Sequence, residues 1–462
     1  MPSLDIDYCP KGGRRVQDKM VPMLAVLLSL IAAPAFGEVV TLREAIGRAL
    51  ESNHLLKAAA LERGAAEEGV AASRSRYLPR VFLESGATLS NTPSTVFMMK
   101  LDEARINPGS DFAADALNHP SSRADFRSAV TLEQPVLDLG IKTGIELAGK
   151  DAEAAAISLE GRREEVAFRV YLAYLGVRKA RAFREIADQA LATAREHERL
   201  AGVREKDGVG LKSDQLRAAT ALAEAEQRLL SAKNDLLIAR LRLNLVAGGR
   251  QGETLDITEF PKLADQIPAQ GDLVTLAQLS RADLRVAEKS VQKGELAVRQ
   301  AANAYFPTLY ARGGYQINDR DIPLGMDNDS WSVGLNLRWE LFDGARRSHE
   351  KEKAERARKG AAALLEYERR EVALQVTESE LRRQEAALRL ESARSAVKGA
   401  EEGMRLVALR FGNGLSSMVE LMDAESALNR SRANLVEVES SFFASTGELY
   451  YRAGVFLREV MR

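Results

Sequence analysis

The chain has 462 residues, with 65 Lys and Arg against 66 Asp and Glu, a balance that argues against the basic surface nucleic-acid binding requires. A single cysteine, Cys9, excludes an intrachain disulfide framework and a thiolate metal cage, and the four scattered histidines suggest no metal site. Ala, Leu and Val are interleaved with Glu and Arg, a mixture that predicts long helices packed through small side chains. No metal or cofactor is expected.

Residues 1–37 have the features of a secretory signal peptide preceded by an N-terminal extension. Basic residues precede an apolar run at residues 21–33, and small residues at alternate positions follow it up to Gly37. The run is too short to span a bilayer comfortably, although a membrane anchor stays open as the alternative, as does a true start at Met20. We therefore expect an exported protein, either periplasmic, secreted or in the outer membrane.

The two halves of the chain carry the same phrases in the same order, which indicates an internal repeat. Tyr-Leu-Pro at residues 77–79 returns as Tyr-Phe-Pro at residues 305–307. Gly-Leu-Lys-Ser at residues 210–213 returns as Gly-Leu-Ser-Ser at residues 414–417. The sequence thus predicts two copies of one structural unit.

The predicted boundaries follow from these phrases. The first repeat covers residues 38–248, a linker or equatorial region with one possible strand covers residues 249–271, and the second repeat covers residues 272–462. A stretch rich in Asn, Pro, Asp and Ser at residues 91–126 has no counterpart in the second repeat, and it is interpreted as an enlarged loop.

Each repeat is predicted to contain a helix, two short strands, a very long helix and a final helix. The first helical stretch ends before an X-Pro pair, because proline disfavours helix in the residue that precedes it. The long helical stretch has about 67 residues, or roughly 100 Å at 1.5 Å per residue. A glycine-containing break then forms a hairpin tip. The predicted helical stretches are residues 42–76, 140–206, 272–303 and 345–411, with the final helices ending near residues 247 and 452.

The segment at residues 331–341 has the clearest strand pattern in the chain. Apolar and small or polar residues alternate through it, which places all the apolar side chains on one face. Its length fits a tilted strand across a bilayer, and its two ends carry the chain's two tryptophans, which favour membrane interfaces. A half-buried strand of a soluble sheet is the alternative. The predicted membrane-facing residues are Trp331, Val333, Leu335, Leu337, Trp339 and Leu341.

The predicted strands number four per chain, and that number requires oligomerisation. A closed membrane barrel has about eight strands at minimum, and hydrocarbon does not tolerate open sheet edges. Two copies of the chain would give eight strands and a nearly filled barrel, whereas three would give twelve and a wider lumen. We favour three copies, because helices of this length suit a conduit.

The whole pattern resembles the TolC-type outer-membrane efflux proteins, from residue 42 to residue 454. The resemblance rests on the duplicated order of elements, on the strand-end phrases at residues 133–138 and 340–344, and on the segment at residues 414–424. It implies a mainly α fold in which a trimeric 12-stranded β-barrel, with four strands per chain, is continued by a long periplasmic α-helical barrel.

The same resemblance implies a function and partners. The homotrimer would lie in outer-membrane lipid of a Gram-negative bacterium. With an inner-membrane transporter and a periplasmic adaptor (a membrane fusion protein), it would export drugs, metal ions or other toxic compounds. A coiled-coil adaptor or scaffold without channel activity is the alternative. No enzyme is expected, because the sequence lacks His-Glu-x-x-His, Gly-x-Ser-x-Gly and phosphate-loop motifs.

The resemblance also suggests roles for residues at the hairpin tips. Glu420 and Asp423 are three positions apart on one helix face, and relatives have an acidic pair here that lines the closed periplasmic entrance. An ordinary solvated helix face is the alternative. Arg410 and Phe411 are candidates for a hairpin latch, although Ser416 stands where some relatives have arginine. The predicted adaptor-docking tips are Val209, Gly210, Leu211, Asn413, Gly414 and Leu415.

Overall fold

The structure is a computed structural model that describes residues 38–258 and 270–461. The predicted signal peptide and most of the second half of the predicted linker lie outside these residues. No helix within the described ranges is both long enough and apolar enough to cross a lipid bilayer.

The elements of the first half follow the predicted order, with small additions. The strand β1 opens the described chain, and its short parallel partner β4 closes the first half. The bounds are β1 Glu38–Val40, α1 Leu42–Ser52, α2 His54–Ser75, β2 Arg80–Ser90, α3 Pro93–Asp102, α4 Ala114–Asn118, β3 Arg123–Leu137, α5 Leu139–Lys206, α6 Lys212–Val246 and β4 Leu255–Ile257.

The second half has the same order of helices and strands, without the two helices of the enlarged loop. A short helix follows at its end. The bounds are α7 Gln270–Ser280, α8 Ala282–Asn303, β5 Thr308–Asp319, β6 Asn328–Arg338, α9 Arg346–Gly412, α10 Met418–Arg452 and α11 Phe456–Met461.

The first helical stretch of each half is two helices rather than the single helix that we predicted. Asn53 has an extended backbone between α1 and α2, and its side-chain oxygen accepts a hydrogen bond from the Leu55 amide at 2.8 Å. Its side-chain nitrogen donates to the Val246 carbonyl at 2.8 Å. Arg281 has the same extended conformation between α7 and α8. An extended residue interrupts the backbone hydrogen bonding, so a new helix has to begin after it.

The four long helices form a row. Helix α6 packs on α5, α5 packs on α10, and α10 packs on α9. Helices α6 and α9 are therefore the two outer members of this row. The main core lies where α5 and α10 meet α1, α7 and α11, around the buried rings of Tyr171, Tyr174 and Phe456.

The contact between α5 and α10 in this core is close because it passes over a glycine. The Tyr171 hydroxyl donates to the Phe443 carbonyl at 2.7 Å, and a Cβ added to Gly447 would overlap the Tyr171 ring. Only a residue without a side chain allows the ring to lie here.

Replacing Gly447 by alanine should lower the midpoint of thermal unfolding. Overpacking a filled core costs about 1–3 kcal/mol, and this contact recurs in every copy of the chain. Gly64→Ala is the matched control, because its added Cβ has nothing within 4 Å and alanine is the better helix former. Circular dichroism melts of the two variants test this, and equal midpoints would show that the packing at Gly447 has no cost.

Candidate functional site

The four long strands form one antiparallel sheet in the order β2-β3-β5-β6, and its register assigns every side chain to a face. Directly paired residues share a face. Leu83 pairs with Val130, Val130 with Tyr315, and Tyr315 with Trp331. One face of the sheet is therefore apolar across all four strands. Its main members are Val81, Leu83, Leu89, Phe126, Val130, Leu132, Leu309, Tyr315, Ile317, Trp331, Val333, Leu335 and Leu337.

The opposite face is mostly polar, and its apolar members include Phe82, Ala129 and Pro135. The Arg312 guanidinium lies 3.7 Å from the Glu133 carboxylate on the neighbouring strand. The polar and charged members of this face are Arg80, Glu84, Thr88, Ser90, Arg123, Asp125, Arg127, Thr131, Glu133, Thr308, Tyr310, Arg312, Gln316, Asn318, Asn328, Ser330, Ser332, Asn336 and Arg338. A sheet with one apolar and one polar face separates a nonpolar phase from water.

Four of the six residues that we predicted to face the membrane lie on this apolar face of β6, and Trp331 is 76% exposed. Trp339 and Leu341 lie beyond the strand, contrary to the predicted strand end. The reason is that the partner strand β5 begins at Thr308, which pairs with Arg338, and Pro307 before it has no N–H to donate. Trp339 instead donates its indole N–H to the Tyr305 carbonyl at 3.1 Å.

The sheet is open at both edges. Within the described residues, β2 pairs with β3 alone and β6 pairs with β5 alone. Each edge strand has 11 residues, so each presents a long row of unsatisfied backbone groups. One chain therefore cannot complete a barrel.

At the opposite end of the molecule, both helical hairpins end in tight glycine turns. Gly208 and Gly414 have positive φ angles of 72° and 74°, which glycine adopts without strain. The tip residues Val209, Leu211 and Leu415 are 70%, 66% and 68% exposed. Both tips thus present apolar side chains to water.

The Glu420 carboxylate caps the start of α10. It accepts hydrogen bonds from the Ser416 hydroxyl and, at 3.3 Å, from the Ser417 amide. The Ser417 hydroxyl in turn accepts from the Glu420 amide at 3.2 Å, which completes a capping box. The hydrogen bond from Ser416, then that from Ser417 and the nearby charge of Arg410, lower the pKa of Glu420 below its ordinary value.

The two acidic residues that we singled out are both exposed, but they differ in surroundings. Glu420 caps the N-terminus of α10. Asp423 lies one turn further along α10 and lines a groove against Leu216 and Arg217 of α6. Ser416, the departure noted in the sequence, positions Glu420 rather than a latch.

The two candidate latch residues make different contacts. Phe411 packs beside Met418 and Leu421, and the guanidinium carbon of Arg204 lies 4.9 Å from the centre of its ring. This contact joins the two hairpins of one chain. Arg410 donates to the Leu415 carbonyl at 3.3 Å and so closes its own tip.

Sequence reasoning missed one buried polar contact near the tips. The Nε2 atom of His197 on α5 lies 2.7 Å from the Glu425 carboxylate on α10. The two residues are 228 positions apart, and no local pattern connects them. Among the described residues, no group of three His, Cys, Asp or Glu could hold a metal ion.

The family model described as outer membrane efflux protein matches residues 45–249 and 273–454. The chain is 24% identical over 461 positions to the protease secretion protein PrtF of Dickeya chrysanthemi, covering 95% of this chain and 93% of the relative. It is 22% identical to the outer membrane protein TolC of Vibrio cholerae, covering 94% and 95%.

A solved structure has the same fold. The outer membrane channel CmeC of Campylobacter jejuni superposes with a TM-score of 0.75 at 15% identity, covering 90% of this chain and 86% of that one. The predicted fold class, mainly helical with a four-stranded membrane sheet in each chain, is confirmed.

Proposed function

Because the chain belongs to the outer membrane efflux protein family, we propose that three copies form a channel that exports small molecules through the outer membrane. The observation that carries this proposal is the two-faced sheet with two open edges. The apolar face would contact lipid and the polar face would line a water-filled lumen. Three sheets joined edge to edge would give the 12 strands of a barrel wide enough for transport.

The long helices support the same assembly, because both outer helices of the row have an unpartnered apolar stripe. On α9 the stripe recurs at every seventh residue, and its members are 57–68% exposed: Tyr367, Leu374, Leu381 and Leu388. On α6 it recurs at the same interval: Leu216, Ala223, Leu230 and Leu237. A seven-residue repeat is the spacing of a coiled-coil seam, so we infer that α6 of one chain packs on α9 of the next.

This arrangement disfavours the alternative of an adaptor or scaffold without channel activity, for which a two-faced membrane sheet would have no use. The helices of about 100 Å would extend the lumen into the periplasm. We propose that a periplasmic adaptor and an inner-membrane transporter complete the export system at the hairpin tips. We also propose that residues 38–248 and 272–462 are two copies of one structural repeat, joined by residues 249–271.

Channel formation can be tested directly by reconstituting the purified protein in planar lipid bilayers. We expect discrete conductance steps from a species with the mass of a trimer in detergent. A monomer that stays in solution without detergent, or a trimer that never conducts, would contradict the proposed function.

We propose that Glu420 and Asp423 form the acidic rings of the periplasmic entrance, six carboxylates in a trimer. Replacing them by Gln and Asn should raise the divalent-cation concentration that half-blocks the channel by about tenfold, because the rings attract cations. Glu420→Gln keeps an oxygen that can accept from Ser417. The measurement is single-channel block, with Glu67→Gln on α2 as the control. Unchanged block in the double variant would remove the entrance assignment.

The lowered pKa of Glu420 moves the loss of its negative charge to a lower pH than for an ordinary glutamate. A carboxyl with a depressed pKa stays ionised further into the acid range, so cation block should persist as the pH falls. Ser416→Ala removes the hydrogen bond that lowers this pKa most. Divalent-cation block, measured as a function of pH, should therefore weaken at a higher pH than in the wild type.

A further inference from the structure

The enlarged loop of the first half lies over the outer end of the polar face of the sheet. Two contacts locate it. The fully buried Glu103 pairs with Arg123, the first residue of β3, and the Asp102 carbonyl accepts from the Asn328 side chain of β6 at 3.0 Å. Arg123 and Asn328 both belong to the polar face, and β5 lies between their strands. The segment at residues 91–122 therefore crosses β5 on that face.

Burial at this end of the sheet agrees with the crossing. Asp125 and Asn318 are diagonal neighbours on the polar face of β3 and β5, and both are buried, with the Asn318 side chain donating to Asp125 at 3.0 Å. Arg127, the register partner of Asn318, and Arg312 further along the same face are exposed. The buried pair of Asp125 and Asn318 thus lies at the outer end of the face, where the segment crosses it.

The segment has a rigid structure of its own. Its helix α3 is tied to the loop that precedes α4 by a 2.8 Å ion pair between Lys100 and Asp111 and by an edge-to-face contact of the Phe97 and Phe112 rings, with centroids 5.8 Å apart. Val96 and Met99 are buried beneath it. These contacts make it a folded unit rather than a flexible loop.

One arginine of this unit, Arg105, binds the loop that joins β5 to β6. The Arg105 guanidinium lies 3.0 Å from the Asp321 carboxylate and 2.7 Å from that of Asp327, both in the loop that joins β5 to β6. The neighbouring Arg320 has its backbone N–H bonded to Asp327, while its side chain makes no ion pair within residues 38–258 and 270–461. Arg105 therefore spans two loops that are over 200 residues apart in sequence.

We propose that residues 91–122 are a lid inside the outer mouth of the channel, held closed by a clasp that Arg105 forms with Asp321 and Asp327. The proposal rests on the proposed function, since the polar face faces a lumen only in the closed barrel. Three lids related by the threefold axis would narrow the exit, giving the channel a second constriction that selects solutes by size. Exposed ion pairs are individually weak, so such a lid can open when solute passes.

The test measures which polyethylene glycols enter the reconstituted channel from the outer side, together with its conductance. Arg105→Gln should admit larger polymers and raise the conductance about twofold, because it releases the lid. Asp321→Asn with Asp327→Asn removes the same contact from the other loop and should have the same effect. Combining all three changes should add little more, because they break one contact.

Arg320→Gln is the matched control, since it removes one arginine from the loop between β5 and β6 and keeps the clasp. If both clasp variants form trimers whose conductance and polymer exclusion equal those of the wild type, the lid is absent and the channel stands. If the control shifts as much as Arg105→Gln, loop charge rather than the clasp controls the exit, which also overturns the proposal. A wild-type trimer that never conducts would instead contradict the proposed function.

Discussion

Replacing Leu374 and Leu381 by glutamate should leave the protein monomeric. These two side chains are 57% and 59% exposed in the single chain, and each would be buried three times in a trimer. Burying a leucine contributes about 1.5–3 kcal/mol, and burying an unpaired carboxylate costs several kcal/mol more. Summed over three interfaces, the double change should remove well over 10 kcal/mol from assembly, which exceeds what the barrel edges can restore at micromolar concentration.

The measurement is the mass of the purified species in detergent, by analytical ultracentrifugation or native mass spectrometry. Leu230→Glu with Leu237→Glu on α6 should have the same effect, because these residues form the proposed partner stripe. Leu61→Glu on α2 is the control, since Leu61 is 76% exposed and lies away from both stripes. Stable trimers in both stripe variants would show that the helices assemble through another face.

Much of the fold was accessible from the sequence because its signals are periodic and long. Apolar and polar residues alternate cleanly in the strand at residues 331–338. The helices of 67 and 68 residues are so long that an error of a few residues at either end does not affect their assignment. The strand β5 has a weaker sequence pattern than β6. Its apolar face includes Gly313, which has no side chain to mark the alternation, yet the pairing with β3 and β6 extends over 12 residues.

The features that sequence reasoning missed depend on contacts between residues distant in the chain, or on short helices and helix caps. The clasp of Arg105 and the contact of His197 with Glu425 each join positions more than 200 residues apart. The helices of the enlarged loop were hidden by a composition typical of turns. The capping box was visible as Ser417-x-x-Glu420, and recognising it would have assigned Glu420 a structural role from the start.

The exposed stripes were also readable in principle. A seven-residue spacing of leucines on α9 and α6 is a sequence pattern, but each helix has a second seam of the same spacing that packs inside the chain. Only the burial of one seam and the exposure of the other distinguish the internal contact from the one that a neighbouring chain would cover. Periodicity thus predicts that a helix has partners, while the structure shows which face still lacks one.

The two hairpin tips are the second place where a large effect is expected. Leu211→Asp with Leu415→Asp should abolish export in cells while leaving the trimer and its conductance intact. Each leucine is about two-thirds exposed at a polar tip, and a tip that contacts an adaptor would bury both. Losing about 1.5–3 kcal/mol at each leucine, and burying a charge in its place, should weaken adaptor binding by at least about a hundredfold.

Leucine substitutions test docking more directly than bulky residues at the tip glycines. A Cβ at Gly210 would lie 2.9 Å from the Arg204 backbone, and Gly414 has a positive φ, so substitutions at either glycine would distort the turn itself. Aspartate at positions 211 and 415 changes the surface without requiring a new backbone conformation.

The readouts are the drug and metal susceptibility of cells that carry the variant, crosslinking to the adaptor at the tips, and conductance of the purified trimer. Leu279→Asp on α7 is the control, because Leu279 is equally exposed and far along the chain from both tips. Susceptibility should rise to that of a deletion strain for the tip variant alone. Wild-type resistance together with undiminished crosslinking would show that the adaptor binds elsewhere, whereas lost conductance would mean that the tip leucines support the entrance itself.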